Sequence, residues 1–396
     1  MRILWVKTEL LHPVDKGGRI RTYQMLRALA KEHQVTYLCL DDGGAAPDAA
    51  QRAVEYCTDL VTVPFHPAKK FQSGFFLDLA GNLFSALPYA IARYRSEEQR
   101  AEVLRLASCS DLVICDFLTP SQNVPSNLGV RTVLFQHNVE ATIWQRHASV
   151  APDPVRRAYL RDQWRRMRRF ERQECRRFDR VIAVSETDAA AIRDEYGIAH
   201  VGSVPTGVDL DYFVAPVNPS RRGSEILFVG SMDWMPNEEG IRWFAEHVFG
   251  RVRAHVPDAT LTIVGRAPSE RLHRLAERTE GMHLTGTVPD VRPYLARAGV
   301  CVVPLRIGGG TRIKIYEAMA MGVPVVSTTI GAEGLPIGHG EQLLIADNPE
   351  EQVESIAGLM ANPAEAQKLS ARALEFVRQY GSWSSVAATF LAQCLS

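Results

Sequence analysis

"GVCVVPLRIGGGTRIKIYEAM", residues 299–319, passes from an apolar run through three glycines into residues of helical spacing. Its first seven residues show no polar alternation, which is how a strand covered on both faces reads. Such strands belong to parallel sheets flanked by helices. A glycine turn from strand into helix is the βα junction of that architecture. The helix places Arg312 and Lys314 in its first turn, where the positive end of the backbone dipole disfavours cations. An anion between them reverses the sign. Glycine N–H groups at Gly308, Gly309 and Gly310, with Thr311, would add donors to it. The stretch therefore reads as an anion site on an α/β fold, the plainer alternative being a glycine turn with outward-pointing cations. Glu317 shares a helix face with Lys314 and either pairs with it or accepts hydrogen bonds from ligand hydroxyls.

The same pattern extends in both directions. "RILWV", "VTYLCL", "DLVTV", "DLVICD", "RTVLFQ" and "RVIAVS" read as strands in the first half, separated by amphipathic segments. A Pro/Gly/Asp-rich stretch around Pro205 interrupts them. "EILFVG", "TLTIVG", "MHLTG", "GVCVVP", "VPVVST" and "QLLIAD" then restart the pattern. Between the first two, Ile241, Phe244, Ala245, Val248, Phe249 and Val252 form one helical stripe. The reading is two doubly wound α/β domains, residues 1–205 and 206–380, with a terminal helix at 381–396 returning to the first.

Composition narrows the class. At 396 residues the chain is long enough for two cores, and its 45 basic and 45 acidic residues give no argument for nucleic acid. Seven cysteines, at 39, 57, 109, 115, 175, 301 and 394, form no CxxC pair or metal-ligand spacing, which suits reduced thiols. No apolar run has the length of a membrane span and the N-terminus has no signal-peptide pattern. The expectation is a soluble cytoplasmic protein. "VRRAYLRDQWRRMRRFERQECRRFDR", residues 155–180, predicts a long Arg-rich helix with Leu160, Trp164, Met167, Cys175 and Phe178 near one face. Its Arg face is either simply solvated or attracted to anionic lipid at the inner membrane surface or to a phosphorylated acceptor.

Two further places carry chemistry. "VDKGGRIRTYQMLRALAKE" sets Gly17 and Gly18 before a helix with Tyr23, Leu26 and Ala30 on one stripe. Some ten residues separate the glycines from the strand before them, unlike the GxGxxG dinucleotide fingerprint, which argues against a nicotinamide enzyme. "LFQHNVEA" sets His137 just past a strand end, where open α/β sheets bind ligands.

These segments together resemble the retaining glycosyltransferases of family four, which have the GT-B architecture. "FVGSMDWMPNEEGI", "LTIVGRAP", "LTGTVPDVRPYLARAGVCVVPL", "GGGTRIKIYEAMAMGVPVVST" and "GAEGL" follow in the family's order. "PTGVDLDYF" resembles its interdomain link, with Thr206 where Asn is common, and "GSWSSVAATFLAQCL" its terminal helix. The resemblance implies two Rossmann-like domains facing across a cleft, the second binding a nucleoside diphosphate sugar and the first a glycan, lipid-linked or small-molecule acceptor. It implies that Gly308–Thr311 and Lys314 hold the diphosphate, Glu317 the ribose, and Gly286 and Val288 the base. Gly17 and Gly18 would close over the phosphates, His137 would face the transferred sugar, and Glu333 would reach toward the donor. The family's first glutamate falls on Gly309, and its arginine after the first donor-domain strand falls on Ser231. Arg312 and Arg266 then become candidates to supply that charge. The catalytic-looking loops hold no pair of aspartates for a metal, so the expected chemistry needs none, with His137 and Lys314 as the residues acting on the reacting centre. The alternatives are a non-hydrolysing sugar-nucleotide epimerase of the same architecture and a degenerate, non-catalytic nucleotide-sugar-binding protein.

Overall fold

The computed structural model describes residues 1–15, 17–67, 73–150, 153–216, 222–307 and 312–396. Gly308, Gly309, Gly310 and Thr311 lie outside the described residues. The chain divides into two compact units, Met1–Val204 with Ser384–Ser396, and Pro205–Trp383.

In the first unit β1 (Arg2–Lys7), β2 (Gln34–Asp41), β3 (Asp59–Pro64), β4 (Leu112–Asp116), β5 (Arg131–Gln136), β6 (Arg180–Ala183) and β7 (Val201–Ser203) form one sheet. Its order is β3-β2-β1-β4-β5-β6-β7, parallel throughout. In the second, β8 (Arg222–Val229), β9 (Thr260–Val264), β10 (Met282–Gly286), β11 (Ala298–Val303), β12 (Val325–Ser327) and β13 (Leu344–Ile345) form another parallel sheet, ordered β10-β9-β8-β11-β12-β13. Each sheet thus starts in its middle, runs to one edge and returns to fill the other side. The direction of strand addition reverses between β1 and β4, and between β8 and β11, which opens a crevice beyond the strands' carboxyl ends.

The strands are apolar because helices cover both faces: Ile3, Leu4, Trp5 and Val6 of β1 are all buried. Cutting one such aliphatic side chain back to Ala would cost about 2–5 kcal/mol. In the first unit the helix Trp383–Leu395 lays Phe390 against Trp5 and Phe135, with ring centroids 5.8 and 4.7 Å apart.

Three local features depart from the sequence reading. β7 was not anticipated, because three residues, "VGS", carry no period; its edge is secured by Gln393 Nε2 donating to the Ser203 carbonyl. The stripe from Ile241 to Val252 is buried as expected, but a π-helical turn at Ala245–Phe249 interrupts the α-helix. In the helix Gly17–Leu29 the buried face is Arg21, Thr22, Met25, Leu26 and Leu29, leaving Tyr23 half-buried. Among the described residues no helix is long and apolar enough to cross a membrane.

Candidate active site

The crevice of the first unit is organised by Asp116, the last residue of β4 and fully buried. Its Oδ2 accepts from Trp5 Nε1 at 3.0 Å, Lys7 Nζ at 2.8 Å and Thr22 Oγ1 at 2.6 Å. Trp5 and Lys7 come from β1, and Thr22 from the helix Gly17–Leu29. Oδ1 lies 2.7 Å from His137 Nε2, without the alignment of a regular hydrogen bond. A buried carboxylate is tolerable only with such partners. Against the cost of burial, Lys7 and His137 hold it well below the usual carboxylate range.

His137 follows β5 and is itself buried, its ring stacked 3.8 Å from the Phe117 centroid and tilted against Phe135 at 4.6 Å. Burial pulls its pKa down to about 4, with Lys7 and Arg21 acting in the same direction and Asp116 opposing. The ring is therefore neutral near pH 7. A carboxylate facing Nε2 assigns the proton to that nitrogen. Nδ1 is left as an acceptor with no partner among the described residues.

Glu171 fixes the turn after His137. Its buried carboxylate accepts the N–H groups of Glu140 (2.8 Å) and Ala141 (3.0 Å), which open the helix Glu140–Val150, together with Gln136 Nε2 and the Tyr196 hydroxyl. Gly18 is needed for close approach, since a Cβ there would lie 2.8 Å from Phe117 Cζ. Phe117 holds its ring over His137 from a left-handed backbone, φ 76°. Gly17 has open space around it.

In the second unit the helix Ile313–Ala320 brings Lys314 to the crevice between β8 and β11, and Arg312 is its N-cap rather than part of its first turn. Lys314 Nζ donates to Asn237 Oδ1 at 2.8 Å and lies 4.5 Å over the Phe228 ring. Asn237 Nδ2 in turn donates to the Ser231 carbonyl at 2.8 Å. Gly230 makes room for both: a Cβ there would lie 2.8 Å from Lys314 Nζ and from Asn237 Nδ2. Burial, with Arg312 nearby, pulls the ammonium down to about 7. Burial pushes the Glu317 carboxyl up to about 7 while Lys314 pulls the other way. The two form no ion pair. The Glu317 carboxylate has no hydrogen-bond partner among the described residues.

Arg266 stands beside Ser231, where the resemblance lacks its arginine. Nε donates to Ser231 Oγ at 2.8 Å, and Nη2 lies 3.2 Å from Asp233 Oδ2. Arg312 is turned inward instead. Its Nη2 donates to the Ile330 carbonyl at 2.7 Å and lies 3.8 Å from the carboxylate of Glu333, which is exposed. Gly286 ends β10 with φ 67°, and Val288 packs partly buried beyond it. Among the described residues no group of three His, Cys, Asp or Glu side chains is placed to hold a metal.

Sequence reasoning missed Lys7, Thr22, Asn237 and the role of Asp116. The available signal was a charged residue closing an otherwise apolar strand, in "RILWVK" and again in "LVICD".

Comparison with known proteins gives the same architecture. A family model described as Glycosyltransferase Family 4 matches residues 16–212, and one described as Glycosyl transferases group 1 matches residues 223–362. The chain is 23% identical over 392 residues, 96% of each sequence, to an uncharacterized 44.6 kDa protein in the cps region of Klebsiella pneumoniae. It is 29% identical over 196 residues to a phosphatidyl-myo-inositol mannosyltransferase of Mycobacterium leprae, covering 48% of this chain and 51% of that one. The chain thus spans about half of that relative. The crystal structure of Anabaena HepE with UDP and glucose matches over 100% of both chains, with TM-score 0.69 at 14% identity. With two Rossmann-ordered units, each falling under one of these models, the chain belongs to the group 1 and family 4 glycosyltransferases of GT-B fold.

Proposed function

We infer that this enzyme moves a sugar from a nucleoside diphosphate sugar to a glycan, lipid-linked or small-molecule acceptor, retaining the anomeric configuration and using no metal. The second unit takes the donor and the first the acceptor. The observation that carries this reading is Lys314, a half-buried ammonium at the switch point of the second sheet, bonded to an amide rather than neutralised by a carboxylate. Such a cation is matched to a diphosphate.

Cleavage of the bond between the anomeric carbon and the diphosphate oxygen builds negative charge on that oxygen. Lys314 stabilises it increasingly as the bond breaks, which is the condition for catalysis rather than mere binding. Arg266, beside Ser231, adds positive charge at the same edge. Glu317 accepts the ribose hydroxyls. The acceptor oxygen bonds to the anomeric carbon on the face the diphosphate leaves. Its proton passes to the departing diphosphate oxygen, so charge and atoms balance without a protein nucleophile. His137, neutral and with Nδ1 free to accept, positions a hydroxyl of the transferred sugar. The UDP and glucose held by HepE, and the named activity of the mannosyltransferase, support a nucleotide-sugar donor.

The test is incubation with a panel of UDP-, GDP-, ADP- and dTDP-sugars, reading nucleotide release and the anomer formed by proton NMR. Release of nucleotide from one donor, with the configuration kept, is expected. Epimer formation without nucleotide release would overturn the reading. An inverted product would instead make His137, backed by Asp116, the base that deprotonates the acceptor.

A further inference from the structure

The Arg-rich segment folds as one helix, Pro154–Arg177, carrying ten arginines against Asp162, Glu171 and Glu174. Glu171 and Glu174 are buried on its inner face with Met167, Phe170 and Cys175, so they do not offset the outer charge. Arg168 pairs with Glu195, and Arg177 with Glu174. Arg161, Arg165, Arg169 and Arg172 are exposed and form no hydrogen bond or ion pair among the described residues. Steps of four, four and three residues keep these four on one stripe of the helix.

A second observation adjoins that stripe. Arg166 Nη1 donates to the carbonyls of Asn82 and Ser85, both at 2.6 Å, and Nη2 to that of Leu83 at 3.0 Å. Asp162 holds the same guanidinium from one turn earlier, at 2.8 Å. Arg166 thereby clamps the tip that ends the helix Ser73–Asn82, only about 60° round the helix axis from Arg169. The tip's two apolar residues are turned outward: Leu83 is 53% and Phe84 95% exposed. A phenyl ring held in water beside a clamped turn, at the border of four guanidinium groups unpaired among the described residues, is an arrangement that neither solvation nor the packing of this unit explains.

We propose that this face docks on an anionic lipid bilayer, with Phe84 and Leu83 entering the acyl boundary and Arg161, Arg165, Arg169 and Arg172 on the headgroup phosphates. Guanidinium groups bind phosphate through paired N–H donors, and their long stems reach along an interface while the ring goes deeper. A soluble polyanion would satisfy the arginines and leave the phenyl ring in water. The bilayer satisfies both.

The test is co-sedimentation of the whole protein with vesicles of equal parts phosphatidylglycerol and phosphatidylcholine, and with pure phosphatidylcholine, at low and physiological salt. Binding to the anionic vesicles, weakening with salt, is expected. Each Arg→Glu change within the stripe should weaken it at least about fivefold, the worth of one basic residue at such a surface. Phe84→Ser should weaken it about tenfold, as a largely inserted ring would require. Donor turnover and melting temperature should stay at wild-type values, since these side chains contact neither site. Failure of the wild type to bind, binding unchanged in the Arg→Glu series, or full binding by Phe84→Ser would each overturn the proposal. The last would leave only attraction between a polycation and a charged surface. Vesicle binding, which alone decides the proposal, does not depend on the donor, so the proposal and the transferase reading stand or fall separately.

Discussion

Nε2 of His137 lies 2.7 Å from Oδ1 of Asp116, whose other oxygen is taken by Trp5, Lys7 and Thr22. The imidazole therefore has one oxygen to orient on and one ring nitrogen left for a ligand. His137→Ala should lower turnover about a hundredfold, the scale of one lost polar contact at a reacting centre, while nucleotide affinity changes far less. Asp116→Asn should lower turnover too, but through the fold. It leaves Lys7 buried without its counter-ion, so stability should fall by about 3 kcal/mol or more, read as a lower melting temperature.

Lys314→Ala should cost about 2–4 kcal/mol of transition-state stabilisation, on the order of a hundredfold in turnover. Wild-type turnover should survive excess chelator. Activity abolished by chelator and restored by magnesium or manganese would show that a metal does what is here assigned to Lys314.

Gly230→Ala tests the same ammonium without removing it. The new Cβ would stand 2.8 Å from Lys314 Nζ, and the flexible end of the lysine must move away from Asn237. The Cβ would also press on the buried Phe228 ring at 3.1 Å, so melting temperature should fall modestly while donor affinity and turnover drop by roughly tenfold, about 1.4 kcal/mol.

The pH dependence follows from the free enzyme. Lys314 is pulled down to about 7, and a bound diphosphate favours its charged form. Binding therefore takes up a proton once the pH exceeds 7. Donor affinity should weaken as pH rises from 7 toward 9, at up to about tenfold per unit. Isothermal titration in buffers of differing ionisation enthalpy would measure the uptake, and Lys314→Ala should abolish it. A wild-type affinity flat over that range would contradict the assignment.

Glu317→Gln should separate from these. It keeps the shape and removes the acceptor charge, so donor dissociation should rise several-fold with turnover at saturation nearly unchanged. A fall in turnover as large as that of Lys314→Ala would move Glu317 to the chemical step.

The fold was legible because buried parallel strands leave a direct trace: runs such as "DLVICD" and "GVCVVPL" lack the alternation of a half-exposed strand. β7 left none, since "VGS" is too short to have a period. The π-helical turn left none either, because Ala245, Val248 and Phe249 are buried within it at spacings that a plain α-helix also shows. At the candidate site, Lys314 and Glu317 were readable because one helix presents both. Lys7, Thr22, Asp116 and His137 were not readable as a group, because no spacing along the chain connects them. They meet only because the sheet order sets β4 beside β1 and β5 beside β4. Asn237 is hidden for the same reason, 77 positions from the lysine it receives.

Trp5 touches the Phe390 ring on one side and donates to Asp116 on the other. Residue 390 leaves the ribosome only after all of the second unit has been made, so for most of synthesis the first unit lacks the wedge that seats Trp5. A nascent or prematurely terminated polypeptide therefore has every partner of Asp116 but leaves the ring faces of Trp5 and Phe135 that Phe390 covers open to chaperones and proteases. Completion of the first unit's core therefore waits on synthesis of the whole second unit, which lies between Val204 and Ser384 in the chain.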